Sequence, residues 1–329
     1  MPEPPTSSPR KRRGRLLRWG AALVALLAVA GYLAVQYVTG GRSGPGCRVV
    51  SAGGSTAAYA FSPEQAVNAA TITAVGTARG LPERAVTIAL ATALQESALR
   101  NIEHGDRDSL GLFQQRPSQG WGTPRQIMDP TYAAAKFYDH LAEVPGYTRL
   151  PLTVAAQRVQ RSGFPQAYAK HEPDASLLAA ALTGRAEATL TCEGRPAATR
   201  AAGAQAVREA LVRDFGRDAL QPAGAEVGGT AAPAPTAPPP DRDGNTVLLP
   251  VPAGPGPGGE RSAGRRGWQL AHWAVANASA LHIRQVTYAG REWTAGHTDS
   301  HWRGTGGAGA GAAGAQRDAE AVRITTTVP

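Results

Sequence analysis

The chain has 329 residues, among them 39 glycines and 26 prolines gathered in particular stretches, so the packed part is smaller than the length suggests. The formal charge is +9, but residues 1–18 alone hold six basic residues against Glu3 and supply five of those charges. A general basic nucleic-acid surface is therefore excluded, and no basic helix or aromatic stacking strip supplies another.

After the basic cluster, residues 19–38 ("WGAALVALLAVAGYLAVQYV") carry no charge over 20 positions, enough to cross a hydrocarbon layer of about 30 Å. The preceding positive residues predict that 1–18 stay in the cytoplasm and that the rest of the chain lies outside. A cleaved signal peptide shares the basic start, but its apolar core usually spans only about 7–15 residues. "TGGRSGPGC" offers no clear cleavage site, so 19–38 reads as an uncleaved signal anchor. Cys47 and Cys192 are the two cysteines of the chain. This topology puts both in an oxidising space, where a bridge between them staples the two ends of the densest helical region; two buried thiols are the alternative.

Within that bracket, Ser62-Pro63-Glu64-Gln65 has the form of a helix N-cap, a proline in the first turn and a capping-box glutamine, and the helix it opens runs to Arg79 before Gly80. From Pro82 to about Ala98, "PERAVTIALATALQESA" is apolar or small on nearly every face after its first turn, the pattern of a helix enclosed by neighbours. Asp129-Pro130 caps "TYAAAKFYDHLA", and further short helices follow at "TVAAQRVQR", "PQAYAKHE" and "ASLLAAALTG"; no strand signal precedes Cys192. A mainly α domain is expected over 47–192, with a helical extension over 195–217. Residues 218–264 read as a Pro/Gly-rich disordered linker. Residues 265–329 read as a small α+β module of unknown role: an amphipathic helix from Trp268, strands "RQVTYAG" and "REWT" joined through Ala289-Gly290, and a last strand in "AVRITTTVP". It faintly resembles a non-catalytic relative of D-alanyl-D-alanine carboxypeptidase-like domains. His297, Asp299 and His301 match no zinc ligand spacing, and neither a metal nor a cofactor is expected.

Glu96 stands near the C-terminal end of the central helix, where removal from water and the negative end of the helix dipole both favour the protonated acid. Such a carboxyl suits general acid catalysis of glycosidic cleavage, in which the leaving oxygen must receive a proton; a plain capping or ion-pairing role beside Arg100 is the other possibility. The following "DSLGLFQQRP" sets neutral amides on an apolar support, as sugar recognition requires.

"QES" followed by "SLGLFQQRP" resembles the paired glutamate-serine and S-x-G-L-M-Q motifs of soluble lytic transglycosylases and goose-type lysozymes, and "AAQRVQRSG" falls where that superfamily carries an A-Y-N-A-G-like motif. The resemblance covers roughly residues 60–175. It implies a lysozyme-like fold and cleavage of peptidoglycan glycan strands between N-acetylmuramic acid and N-acetylglucosamine, with Glu96 as general acid and base. By the same resemblance Ser97, Ser109, Gly111, Gln114, Gln115 and Gln160 hold the sugar. An inverting hydrolase would also need a second carboxylate about 6.5–9.5 Å away, for which Asp106 and Asp108 are the candidates. Val159-Gln160 depart from the family's Tyr-Asn and remove a phenol; Tyr168, Tyr132 and Trp121 are candidate sugar platforms. The expected partners are glycan strands and, through 19–38, the membrane; protein partners are open. The rival reading is a non-catalytic peptidoglycan-binding or scaffold protein with a degenerate cleft.

Overall fold

Local sequence sets the first helices. In the computed structural model, which describes residues 46–53, 56–161, 165–194, 203–220, 244–251, 259–296, 301–305 and 319–327, helix α1 (Pro63–Ala78) opens on a closed capping box. The Ser62 hydroxyl accepts from the Gln65 N–H at 3.3 Å, and the Gln65 side-chain oxygen accepts from the Ser62 N–H at 2.7 Å. Helix α2 (Glu83–Ser97) is buried from Ala85 through Leu94. That matches its all-round apolar sequence, because α1, the helices Pro130–Ala142, Leu152–Gln160 and Glu172–Leu182 and the 3-10 turn Pro165–His171 all pack against it. The short α3 (Pro124–Ile127) leads into α4 (Pro130–Ala142), whose cap Asp129 accepts from the Thr131 N–H at 2.9 Å. Helices α5 (Leu152–Gln160) and α6 (Glu172–Leu182) complete the layer around α2.

Three short strands accompany these helices, although the sequence shows no strand signal before Cys192. Strands β1 (Cys47–Val50), β2 (Ala58–Phe61) and β3 (Leu190–Cys192) form an antiparallel sheet in the order β2-β1-β3. Runs of three or four residues are too short for an alternating pattern to stand out, and β3 pairs with a segment some 140 residues earlier, so the determinant is non-local. Cys47 and Cys192 face each other in this ladder and form the expected disulfide, closing a sequence separation of 145.

Helix α7 (Gly203–Phe215) follows. The stretch expected to be linker supplies strand β4 (Thr246–Pro250) and the start of helix α8 (Gly259–Ala276), so the linker reading over 218–264 is corrected at both of these places. "TVLLP" is an edge strand whose apolar Val247 and Leu249 alternate inward, a signal masked by the prolines and glycines on either side. After the short α9 (Ala278–Leu281), strands β5 (Ile283–Tyr288), β6 (Arg291–Thr294), β7 (Arg303–Gly304) and β8 (Ala321–Thr326) build a sheet in the order β4-β8-β5-β6-β7. The β5–β6 turn is the expected Ala289-Gly290, both at positive φ (48° and 68°), as a two-residue hairpin turn requires.

Helix α8 joins the two halves of this architecture, packing on α1, α6 and β3 on one side and on β5 and β8 on the other. Among the described residues the outward edge of β3 has no strand neighbour; side chains from the C-terminal elements meet it instead. The Trp293 and Trp302 indole N–H groups donate to the carbonyls of Cys192 (3.1 Å) and Leu190 (2.9 Å), and the Leu190 N–H donates to His272 Nε2 (3.5 Å). The buried Asp214 carboxylate on α7 accepts from the Trp273 indole at 2.8 Å and the Thr71 hydroxyl at 3.2 Å, tying α7, α8 and α1 together. Pro45–Pro329 forms one compact unit, mainly α with two small sheets. The expected anchor at 19–38 lies outside the described residues; among those described, no helix is long and apolar enough to cross a membrane.

Candidate active site

Glu96 sits one residue before the end of α2, and the turn that follows has an unusual backbone. Ala98 and Leu99 both take left-handed conformations (φ 52° and 58°), a cost of roughly 1–2 kcal/mol for each non-glycine residue. Four hydrogen bonds offset it. The Ala98 and Leu99 N–H groups donate back to Leu94 (3.0 Å) and Ala93 (3.1 Å), and two amides of α1 hold the carbonyls: Gln65 Nε2 on Ala98 (2.7 Å) and Asn68 Nδ2 on Leu99 (2.8 Å). Gln65 thus caps its own helix with its oxygen and fixes the end of α2 with its nitrogen.

The polar loop after this turn is bound to it. Ser97 is buried and its hydroxyl donates to the Leu112 carbonyl at 2.8 Å, while the Gln160 amide on α5 donates to the next carbonyl, Phe113, at 2.7 Å. Within the loop Leu110 and Gln115 exchange both backbone hydrogen bonds at 3.0 Å, and Gly111 (φ 74°) donates to Ile102 at 2.8 Å. A Cβ on Gly111 would stand 2.8 Å from the Ile127 carbonyl oxygen, so only glycine fits there.

The carboxyl of Glu96 is half-buried and accepts from the Tyr168 hydroxyl at 2.6 Å. Burial raises its proton affinity, and the hydrogen bonds from Tyr168 and Gln160, which favour the ionised form, only partly oppose that; the net shift is upward. Tyr168 is fully buried and so is no sugar platform; its phenol lies against the Glu96 carboxyl instead. In the sequence Tyr168 stands out only as a candidate sugar platform, because the turn Pro165–His171 meets the end of α2 only in three dimensions.

Beside this group opens a cleft of about 490 Å³, lined by Gln114, Gln119, Trp121, Gln160, Val159 and Val144 together with Arg116, Arg158, Arg161, His140 and Glu143. Its size suits a small ligand or a few sugar rings. Glu96 is not among the lining residues; Gln160 touches both. Trp121 is half-buried with its ring centroid 4.4 Å from that of His140, which leaves it the aromatic of the three candidates that lines the cleft. The Tyr132 hydroxyl instead donates to the Trp121 carbonyl at 3.2 Å.

No family model matches the chain, and no curated protein does either.

The sequence-predicted sugar ligands divide into two groups. Gln114 and Gln160 line the cleft. Ser97, Ser109, Gly111 and Gln115 are buried and build the loop instead: the Gln115 amide, for example, donates to Ala133 at 3.0 Å on α4. The two aspartates are poorly suited to serve as a base. Asp108 accepts from the Ser118 N–H and from Arg116 Nε, each at 2.8 Å, and these bonds, the Ser118 N–H foremost, hold its carboxyl well below the usual range. Asp106 is exposed at the loop tip, with Arg107 4.0 Å away. Among the described residues no group of three or more His, Cys, Asp or Glu side chains is arranged to hold a metal ion; His297 and Asp299 lie outside them.

Proposed function

We propose that the protein is a membrane-anchored envelope enzyme that cleaves the glycan strands of peptidoglycan between N-acetylmuramic acid and N-acetylglucosamine. The observation that carries this reading is Glu96: a half-buried acid of raised proton affinity, gripped by Tyr168 and linked through Gln160 to a cleft lined by amides and Trp121. Protonated, it donates to the glycosidic oxygen as the bond breaks. Ionised, it takes the proton of the muramyl 6-hydroxyl as that oxygen closes on the anomeric carbon. Both steps use the same carboxyl, which agrees with Asp108 being committed to Arg116 and Ser118. Anhydro-forming cleavage needs no carboxylate beyond Glu96, whereas inverting hydrolysis needs a second one, for which the exposed Asp106 is the candidate left. The disulfide supports an oxidising, extracytoplasmic compartment, with 19–38 as the anchor and 1–18 in the cytoplasm.

The test is to incubate the purified protein with peptidoglycan and identify the released fragments by mass spectrometry. Anhydro-ended products that fall by about 100-fold or more with Glu96→Gln are expected, the contribution typical of a general acid. Reducing-ended products would mean hydrolysis, and binding without products would establish the scaffold reading instead.

A further inference from the structure

The cleft beside Glu96 is not electrically neutral. Three of its lining side chains are arginines, against a single acid, Glu143. Glu143 has a neighbour of its own in His140, 3.7 Å away, and Arg116 is committed to Asp108 at 2.8 Å. Arg158, in the last turn of α5, and Arg161, just after it, are exposed and have neither an ion pair nor a side-chain hydrogen bond among the described residues. Among the described residues some arginines elsewhere in the fold lie on acids, Arg84 on Glu172 at 2.7 Å and Arg185 on Glu83 at 2.8 Å, and others such as Arg100 and Arg125 do not; what sets Arg158 and Arg161 apart is that both line one cleft.

The two free guanidinium groups flank Gln160, whose amide is bonded to the loop and acts on Glu96. They therefore stand on the same short helix end as the link to the acid. Amide groups recognise uncharged sugar substituents and have no use for two unpaired cations, whereas guanidinium forks match a carboxylate. We infer that Arg158 and Arg161 form an anionic subsite that takes a carboxylate carried by the glycan while Glu96 acts on the adjacent bond. This rests on the glycan reading above. On a peptidoglycan strand that carboxylate has two sources: the lactyl group of a peptide-free muramyl residue, or the stem peptide of a substituted one.

The experiment measures the dissociation constants of the full chain in detergent for three probes: an uncharged N-acetylglucosamine hexamer, a peptide-free glycan strand and a peptide-bearing strand. At low salt a charged strand is expected to bind roughly tenfold more tightly than the hexamer, the scale of two exposed ion pairs, and molar salt shrinks that preference. Arg158→Gln with Arg161→Gln removes the preference and leaves hexamer binding unchanged, while Arg158→Lys with Arg161→Lys retains most of it. Preference for the peptide-free strand assigns the lactyl carboxylate; preference confined to the peptide-bearing strand assigns the stem peptide. Equal affinity for charged and neutral probes, or a preference that survives the double glutamine variant, overturns the subsite and leaves glycan cleavage standing. Failure to bind any of the three overturns both.

Discussion

His272 is fully buried on α8, beside the rings of Trp268 and Trp302, whose centroids lie 5.5 and 6.0 Å from its own. Its Nδ1–H donates to the Ala181 carbonyl at 2.8 Å, and its Nε2 accepts from the Leu190 N–H. The neutral ring is therefore satisfied on both sides, and a second proton would face an N–H donor inside an apolar cage. Burial lowers its pKa from 6.5 to about 4. The unfolded chain binds this proton and the folded one does not, so folding is undisturbed above pH 6.5 and loses stability as pH falls toward 4. At about 1.4 kcal/mol per pH unit the full loss is about 3 kcal/mol, a large share of the roughly 5–15 kcal/mol of an ordinary domain. The assay is urea unfolding of Pro45–Pro329 at several pH values from 7.5 to 4.5, for wild type and His272→Gln. The variant keeps an amide donor and acceptor but does not titrate, so contributions from other groups cancel in the comparison. Its stability should vary less steeply below pH 6.5, by close to one proton. Parallel curves would refute the argument. Because Ala181 and Leu190 belong to the helical part while His272 belongs to the C-terminal part, parallel curves would also mean that the two do not dock in solution.

Two further outcomes follow from the site and the staple. In Tyr168→Phe the ionised form of Glu96 loses a hydrogen bond, so its pKa rises further; the alkaline limb of the cleavage rate moves to higher pH, and kcat at the optimum falls about tenfold, the scale of a hydrogen bond to a charged group. A pH–rate profile on soluble glycan checks both, and an unmoved limb would detach Tyr168 from the acid. Replacing Cys47 and Cys192 by serine should lower stability by about 4–5 kcal/mol, the loop-closure value for so long a separation, which a denaturant titration with and without reductant measures.

Much of the helical layer was legible because its signals are local. Ser62-Pro63-Glu64-Gln65 closes its capping box, Asp129 caps α4, and the uniformly apolar stretch before Glu96 is the enclosed helix. What escaped depends on distant contacts. Strand β1 exists because β2 and β3 flank it, and β4 because β8 lies beside it. The site divides in the same way. Glu96 could be singled out by its position at a helix end, but that Tyr168 would reach it, and that Gln115 would turn into the core, follow from how α5, α4 and the turn at 165–171 pack. Serine, glycine and glutamine are equally at home in a sugar site and in a loop scaffold, so residue type alone did not separate Gln114 from Gln115.

The double duty of Gln65 narrows what substitution can do at a position far in sequence from the acid it supports. A capping box ordinarily accepts glutamate as well as glutamine. Here glutamate would keep the cap and lose the donor to Ala98, turning an attraction into oxygen facing oxygen at the end of α2. Proteins that share this cleft geometry should therefore retain an amide at that site even where the serine before it drifts among other capping residues.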